Sequence, residues 1–202
     1  YTDSDRQRKG QRWQKDEEIL KRELECNSNN PRAQFYYAQT LACLGRAGEA
    51  ACIYRKRADN QRGSRAETYE ALLRLARLEP SNALEHLTRA ANMFPNWPDA
   101  PTLIAHHYYS KKNRPATFVW ARRACELAFS NGTLFTRKRL DQLRWDLLSA
   151  SAFYCDAPQL GRKATLMALG KKPSEDKRLR RNFRFYATQE HIPGTCVLVV
   201  GT

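Results

Sequence analysis

Few residues in this chain have the types and spacing that chemistry would need. His106 and His107 are adjacent. On a helix, neighbouring side chains point about 100° apart, so the two cannot chelate one ion. We expect one to face a groove and the other to pack or meet solvent. Six cysteines stand at 26, 43, 52, 125, 155 and 196. None forms a Cys-x-x-Cys pair, and no histidine follows at ligand spacing, so a structural zinc site is excluded. Asp3-Ser4-Asp5 lies in a polar, basic stretch rather than after a strand, which argues against a metal-binding Asp-x-Asp. No serine sits in a nucleophile-elbow motif. Gly194 and Gly201 are too few and too far apart for a phosphate loop. Val197 to Gly201 would open a nucleotide-binding unit only if a loop and helix followed. Asn131-Gly132-Thr133 fits a glycosylation sequon and reads as a turn. We therefore expect no catalytic residue, no metal site and no cofactor within these residues.

Cations are abundant instead. The 202 residues hold 35 Lys and Arg against 21 Asp and Glu, a net charge of +14. That excludes an acidic buffer and leaves nucleic acid, anionic lipid and phosphorylated ligands open. From Gly161 to Glu190 nine cations face three acids. Arg162, Lys163, Lys177, Arg178, Arg180, Arg181 and Arg184 form the candidate basic patch, with Phe183, Phe185 and Tyr186 interleaved. Such a mixture would suit phosphates and stacked bases. A solvated capping helix whose aromatic side chains turn inward explains it equally, and we expect that. No apolar run approaches the roughly 20 residues that span a bilayer, so no membrane partner is expected.

The elements that must position these residues emerge from a repeat. Small residues recur at Ala38, Ala71, Ala105 and Ser149, and a second set at Ala50, Ala83, Thr117 and Gly161. Both sets step by 33, 34 and then 44 residues. About ten residues are thus inserted near Ser130 to Arg139. Two helices cross closely only where a side chain is small, and each hairpin must stack on the next to cover its apolar face. Asp16 to Glu25 reads as a flanking amphipathic helix, with Ile19, Leu20 and Leu24 on one stripe. Ser174 is a candidate N-cap for a last helix through Tyr186. Cys43, Cys52, Cys125 and Cys155 fall in helical patterns, and we expect reduced, buried thiols of a cytoplasmic protein.

The pattern Gln34-x-x-Tyr37-Ala38-x-x-Leu41, then Gly45, then Ala50-x-x-x-Tyr54 resembles the tetratricopeptide repeat. The predicted fold is an all-α, right-handed helical-hairpin solenoid over residues 1–187. Its repeats lie near 31–63, 64–97, 98–130 and 140–174, with a capping helix at 174–187. Residues 188–202 are read as a strand-like extended tail or the start of a further domain. Groove-facing side chains would come from the first helix of each repeat. By helical phase they are Arg32, Phe35, Gln39, Thr68, Leu72, Thr102, His106, Tyr109, Asp146, Phe153 and Tyr154. Aromatic groups with one arginine and one histidine suit a peptide or a sugar ring. Phe35 and Gln39 stand where a Lys/Asn clamp for acidic tails would need other residues, so that clamp is not evident.

The order of the segments also resembles the tetratricopeptide-like region that follows the catalytic domain of family 2 (GT-A type) glycosyltransferases. The resemblance is carried by Asp5 to Arg8, Glu17 to Glu25, Asn30 to Thr40, Gly45 to Ala50, Tyr54 to Arg57, Glu67 to Leu78, Arg144 to Tyr154 and Arg180 to Tyr186. It implies a non-catalytic accessory module that presents an acceptor or a protein partner, or mediates assembly with a second copy. The nucleotide sugar and divalent metal would belong to a catalytic domain before Tyr1. Two other readings stand beside it. One is a stand-alone protein-interaction scaffold. The other is a basic nucleic-acid-binding solenoid, which the groove composition does not favour.

Overall fold

The computed structural model describes residues 3–128, 138–171 and 177–188. The inserted segment around Asn131, the Ser174 cap and the tail from 189 lie outside them. The described residues are all-α, and the chain divides after Pro95 into two compact units. The first holds α1 (Asp3–Cys26), α2 (Pro31–Cys43), α3 (Ala47–Asp59), α4 (Arg65–Leu78) and α5 (Ala83–Met93). The second holds α6 (Asp99–Ser110), α7 (Arg114–Glu126), α8 (Lys138–Ala152), α9 (Pro158–Lys171) and α10 (Lys177–Thr188). Among the described residues no helix is long and apolar enough to cross a membrane.

Local chemistry sets the helix ends. The Asn30 side chain accepts from the backbone N–H groups of Arg32 and Ala33, and Pro31 opens α2 with its φ already helical. Asn113 caps α7 in the same way by accepting from Ala116. Three first helices end alike. Gly45, Lys112 and Asp156 take positive φ values of 82°, 58° and 53°. After each, an N–H closes back five residues: Arg46 to Leu41, Asn113 to Tyr108, and Ala157 to Ala152. These three residues are spaced by 67 and 44, the same steps as the small-residue series. The α4–α5 connection departs, as its Glu79-Pro80-Ser81 sequence suggests. A 3-10 turn, Pro80–Asn82, replaces the left-handed residue.

The small residues lie inside. Within the first unit Ala38, Ala50, Ala71 and Ala83 are buried; within the second, Ala105, Thr117 and Ser149 are buried. With Ala105 cluster Ala121, Trp145, Leu147, Leu148, Ala164, Ala168 and Leu179. Tyr54 and Leu87 are buried with the first unit's small residues.

The cysteine expectation needs correcting. The five described cysteines are free thiols, but Cys26, Cys43 and Cys52 are exposed, and Cys125 and Cys155 half-buried. Cys52 falls two residues, about 200°, from the buried Ala50–Tyr54–Ala58 stripe, so its thiol faces away from the core.

Candidate binding surfaces

In the first unit the expected groove residues divide by burial. Arg32 is exposed and stacks over the Tyr36 ring at 5.6 Å, and Gln39 is half-buried. Phe35, Thr68 and Leu72 belong instead to the packed interior. Phase placed them on the first helices, but α2, α3 and α4 close over that stripe. The Phe35 ring meets Tyr54 at 6.1 Å, and Arg74 lies over both rings, at 5.7 and 5.8 Å. Arg74 donates to the Tyr54 hydroxyl at 3.0 Å and to Glu70 at 2.8 Å. Burial pushes the Tyr54 phenol up from its ordinary value. Thr68 Oγ1 accepts from Arg57 at 2.8 Å.

Arg57 is fully buried where the later repeats carry Ala90, Ala124 and Ala168. It donates to the carbonyls of Asn60 and Ser64 and meets Glu67 at 3.5 Å. It thereby pins the α3–α4 loop, and burial holds its pKa below the usual arginine value. Arg74, Glu70 and Arg57 were not among the expected site residues. Their roles come from long-range pairing, which periodicity does not report.

In the second unit Thr102 is buried and donates to the Pro98 carbonyl at 2.7 Å, so it too belongs to the interior. His106 is exposed and His107 half-buried. Burial, then Lys111 and His106, holds the His107 pKa below its ordinary value. Asp146 is committed to Arg178 of α10 at 2.5 Å. Phe153 packs edge-on against Phe185 at 4.8 Å. Tyr109 and Tyr154 come together around a residue that helical phase did not single out. The Arg114 guanidinium lies 4.7 Å from the Tyr109 ring and 5.3 Å from the Tyr154 ring, and Tyr154 is 62% exposed.

The basic patch sorts by face. Lys177, Arg180, Arg181 and Arg184 are exposed at spacings of three, four and seven, which is one stripe of α10. The opposite side buries Leu179 and Tyr186, and the Tyr186 hydroxyl donates to the Ser149 carbonyl. On α9, Lys163 is exposed and Arg162 half-buried.

Other charged and polar groups are occupied by structure. Arg144 donates to the carbonyls of Ala124 and Leu127 and so caps α7, while Asp141 holds its other edge. His86 and Arg55 share the Glu79 carboxylate. The Ser149 and Thr165 hydroxyls bond each other at 2.6 Å. Among the described residues no group of three His, Cys, Asp or Glu side chains could hold a metal.

No protein-family model matches the chain, and no curated protein sequence does. Solved structures match it. MamA superposes with a TM-score of 0.62 at 16% identity, over 86% of this chain and 96% of MamA. PilF of Pseudomonas aeruginosa gives 0.60 at 15% identity, over 85% and 72%. YrrB, described as a TPR protein with an unusual peptide-binding site, gives 0.60 at 12% identity, over 85% and 83%. The fold is tetratricopeptide-like. At these identities the likeness is one of fold alone. With no family or sequence match, the resemblance to glycosyltransferase regions gains no support from the comparisons.

Proposed function

We propose that this chain is a non-catalytic protein-interaction module whose partner is acidic. The observation that carries this is the exposed stripe of Lys177, Arg180, Arg181 and Arg184 on α10. Four cations about 5–6 Å apart along a helix match carboxylates at the same spacings on a partner. The helix is held rigidly enough to present them, because Leu179 and Tyr186 are buried beneath it and Arg178 is tied to Asp146. The net charge of +14 would speed the encounter with an acidic surface. A relative in fold, YrrB, has a peptide-binding site.

The stripe offers nucleic-acid bases no stacking partner of its own. Phe185 is turned inward against Phe153, and Phe183 is half-buried. That favours protein over single-stranded nucleic acid. The narrower reading, an accessory module beside a glycosyltransferase catalytic domain, is supported by the order of the sequence segments.

The test is fluorescence anisotropy with a labelled octapeptide carrying four glutamates, beside single-stranded and duplex oligonucleotides. The peptide should bind in a salt-sensitive way, and Arg180→Gln/Arg181→Gln/Arg184→Gln should abolish that binding. Tight binding to oligonucleotides alone, lost in the same variant, would transfer the function to nucleic acid.

A further inference from the structure

The second unit holds a cation whose counter-ion the described residues do not supply. Five other half-buried or buried arginines meet a carboxylate: Arg46 meets Glu17 and Glu49, Arg57 meets Glu67, Arg74 meets Glu70, Arg144 meets Asp141 and Arg178 meets Asp146. Arg114 is half-buried as well. Among the described residues no carboxylate lies within ion-pair distance of it. Its Nη1 is buried without a hydrogen-bond acceptor.

What holds Arg114 is aromatic. Tyr109 and Tyr154 lie over the guanidinium, at 4.7 and 5.3 Å. Stacking uses the faces of the cation and leaves its in-plane N–H groups other than the buried Nη1 for an acceptor. These fit a carboxylate with two parallel hydrogen bonds. Exposed Lys111 and Lys112 precede it and add positive potential. A series of ring contacts runs from Tyr154 to Phe153 and on to Phe185 of α10, so the clamp is mechanically continuous with the basic helix.

We infer that Arg114, clamped by Tyr109 and Tyr154, is a carboxylate-binding subsite for an acidic peptide. The inference rests on the acidic-partner reading above and adds a site to it. The subsite stands at the start of a second helix of a hairpin, outside the expected first-helix groove. The carboxylate is either that of a Glu or Asp residue or the terminal carboxylate of the peptide.

The test uses the full-length protein and the labelled four-glutamate octapeptide in three forms: free C-terminus, amidated C-terminus, and every Glu replaced by Gln. Arg114→Gln and Arg114→Lys should each weaken the free-acid peptide about tenfold or more, the worth of a charge-assisted bond pair. Arg114→Lys keeps the charge but loses the planar fork, so its loss reports geometry. Tyr154→Leu, at an exposed position, should weaken binding several-fold with Tm moved by less than about 2 °C. An effect of amidation that Arg114→Gln removes assigns the terminal carboxylate; an effect of the Gln replacements that Arg114→Gln reduces assigns the glutamates. Three results overturn the subsite. In the first, all three peptides bind equally. In the second, Arg114→Gln binds like the parent while the α10 triple variant does not, which leaves the acidic-partner reading standing. In the third, both Arg114 variants lose several degrees of Tm and Tyr154→Leu binds normally, which makes the clamp structural. If the parent protein binds none of the peptides, both readings fall together.

Discussion

The phenol of Tyr186 on α10 occupies the space that a β-carbon on Gly161 of α9 would fill. Such a carbon would stand 2.6 Å from Tyr186 Cε1 and from its hydroxyl oxygen. Burial pushes this phenol up to about 12, and its hydroxyl is spent on the Ser149 carbonyl. Gly161→Ala should therefore lever α10 away from α8 and α9 and cost about 1–3 kcal/mol. Urea denaturation would read the cost, and amide exchange should quicken along α10 first. Tyr186→Phe keeps the ring, loses the hydrogen bond, and should cost only about 1 kcal/mol.

Lys112 should be improvable where Gly45 is not. Both take left-handed backbone at the same point of their hairpins. A side chain there costs conformational energy that glycine avoids. Lys112→Gly should stabilise by about 0.5–1 kcal/mol, and Gly45→Ala should destabilise by a similar amount, since nothing crowds its β-position. A shift of the denaturant midpoint in the same direction for both variants would mean that contacts, not φ, decide the site.

Glu79 links stability to acid. Burial alone would raise its pKa, but hydrogen bonds from His86 and Arg55 outweigh that and hold it below the usual glutamate value. A depressed folded pKa contributes stability that is present above the unfolded value of about 4.3 and disappears as pH falls through the folded value. The parent protein should exceed Glu79→Gln in stability at neutral pH, and the gap should narrow below about pH 4.5. A gap that stays constant down to about pH 3 would remove Glu79 from the acid response.

Thiol reactivity should follow exposure. Cys26, Cys43 and Cys52 are exposed, whereas burial pushes the Cys125 thiol up to about 12. Thiolate is the reactive form, so at about pH 8 a small disulfide reagent should modify the first three quickly and Cys125 last. Mass mapping after short labelling would show the order. Early labelling of Cys125 would mean that α7 opens locally in the native state.

The hairpin architecture was legible from residue types alone. A close helix crossing tolerates only small side chains, so Ala38, Ala71, Ala105 and Ser149 had to recur, and all four are buried. The inserted residues after the third hairpin showed in the same arithmetic. The left-handed turns at Lys112 and Asp156 were hidden, because neither is glycine, although they keep the step from Gly45.

Which first-helix residues stay open was decided only in three dimensions. Helical phase names a stripe, but whether the stripe is covered depends on side chains far away in sequence. Phe35 is sealed by Tyr54 and Arg74, 19 and 39 residues on, and Thr68 is tied to Arg57. Charge pairing is equally non-local: Asp146 looked like a groove residue until Arg178, 32 residues later, claimed it. Composition announced an excess of cations, and the folded protein determined which of them are already neutralised. Arg57, a long cation at a small-residue position, is buried because the 60–64 loop turns its carbonyls inward to meet it. Arg114 gained its place between two tyrosines through the packing of α6, α7 and the turn after α8, since a stacking clamp is a contact between elements and leaves no period in the sequence.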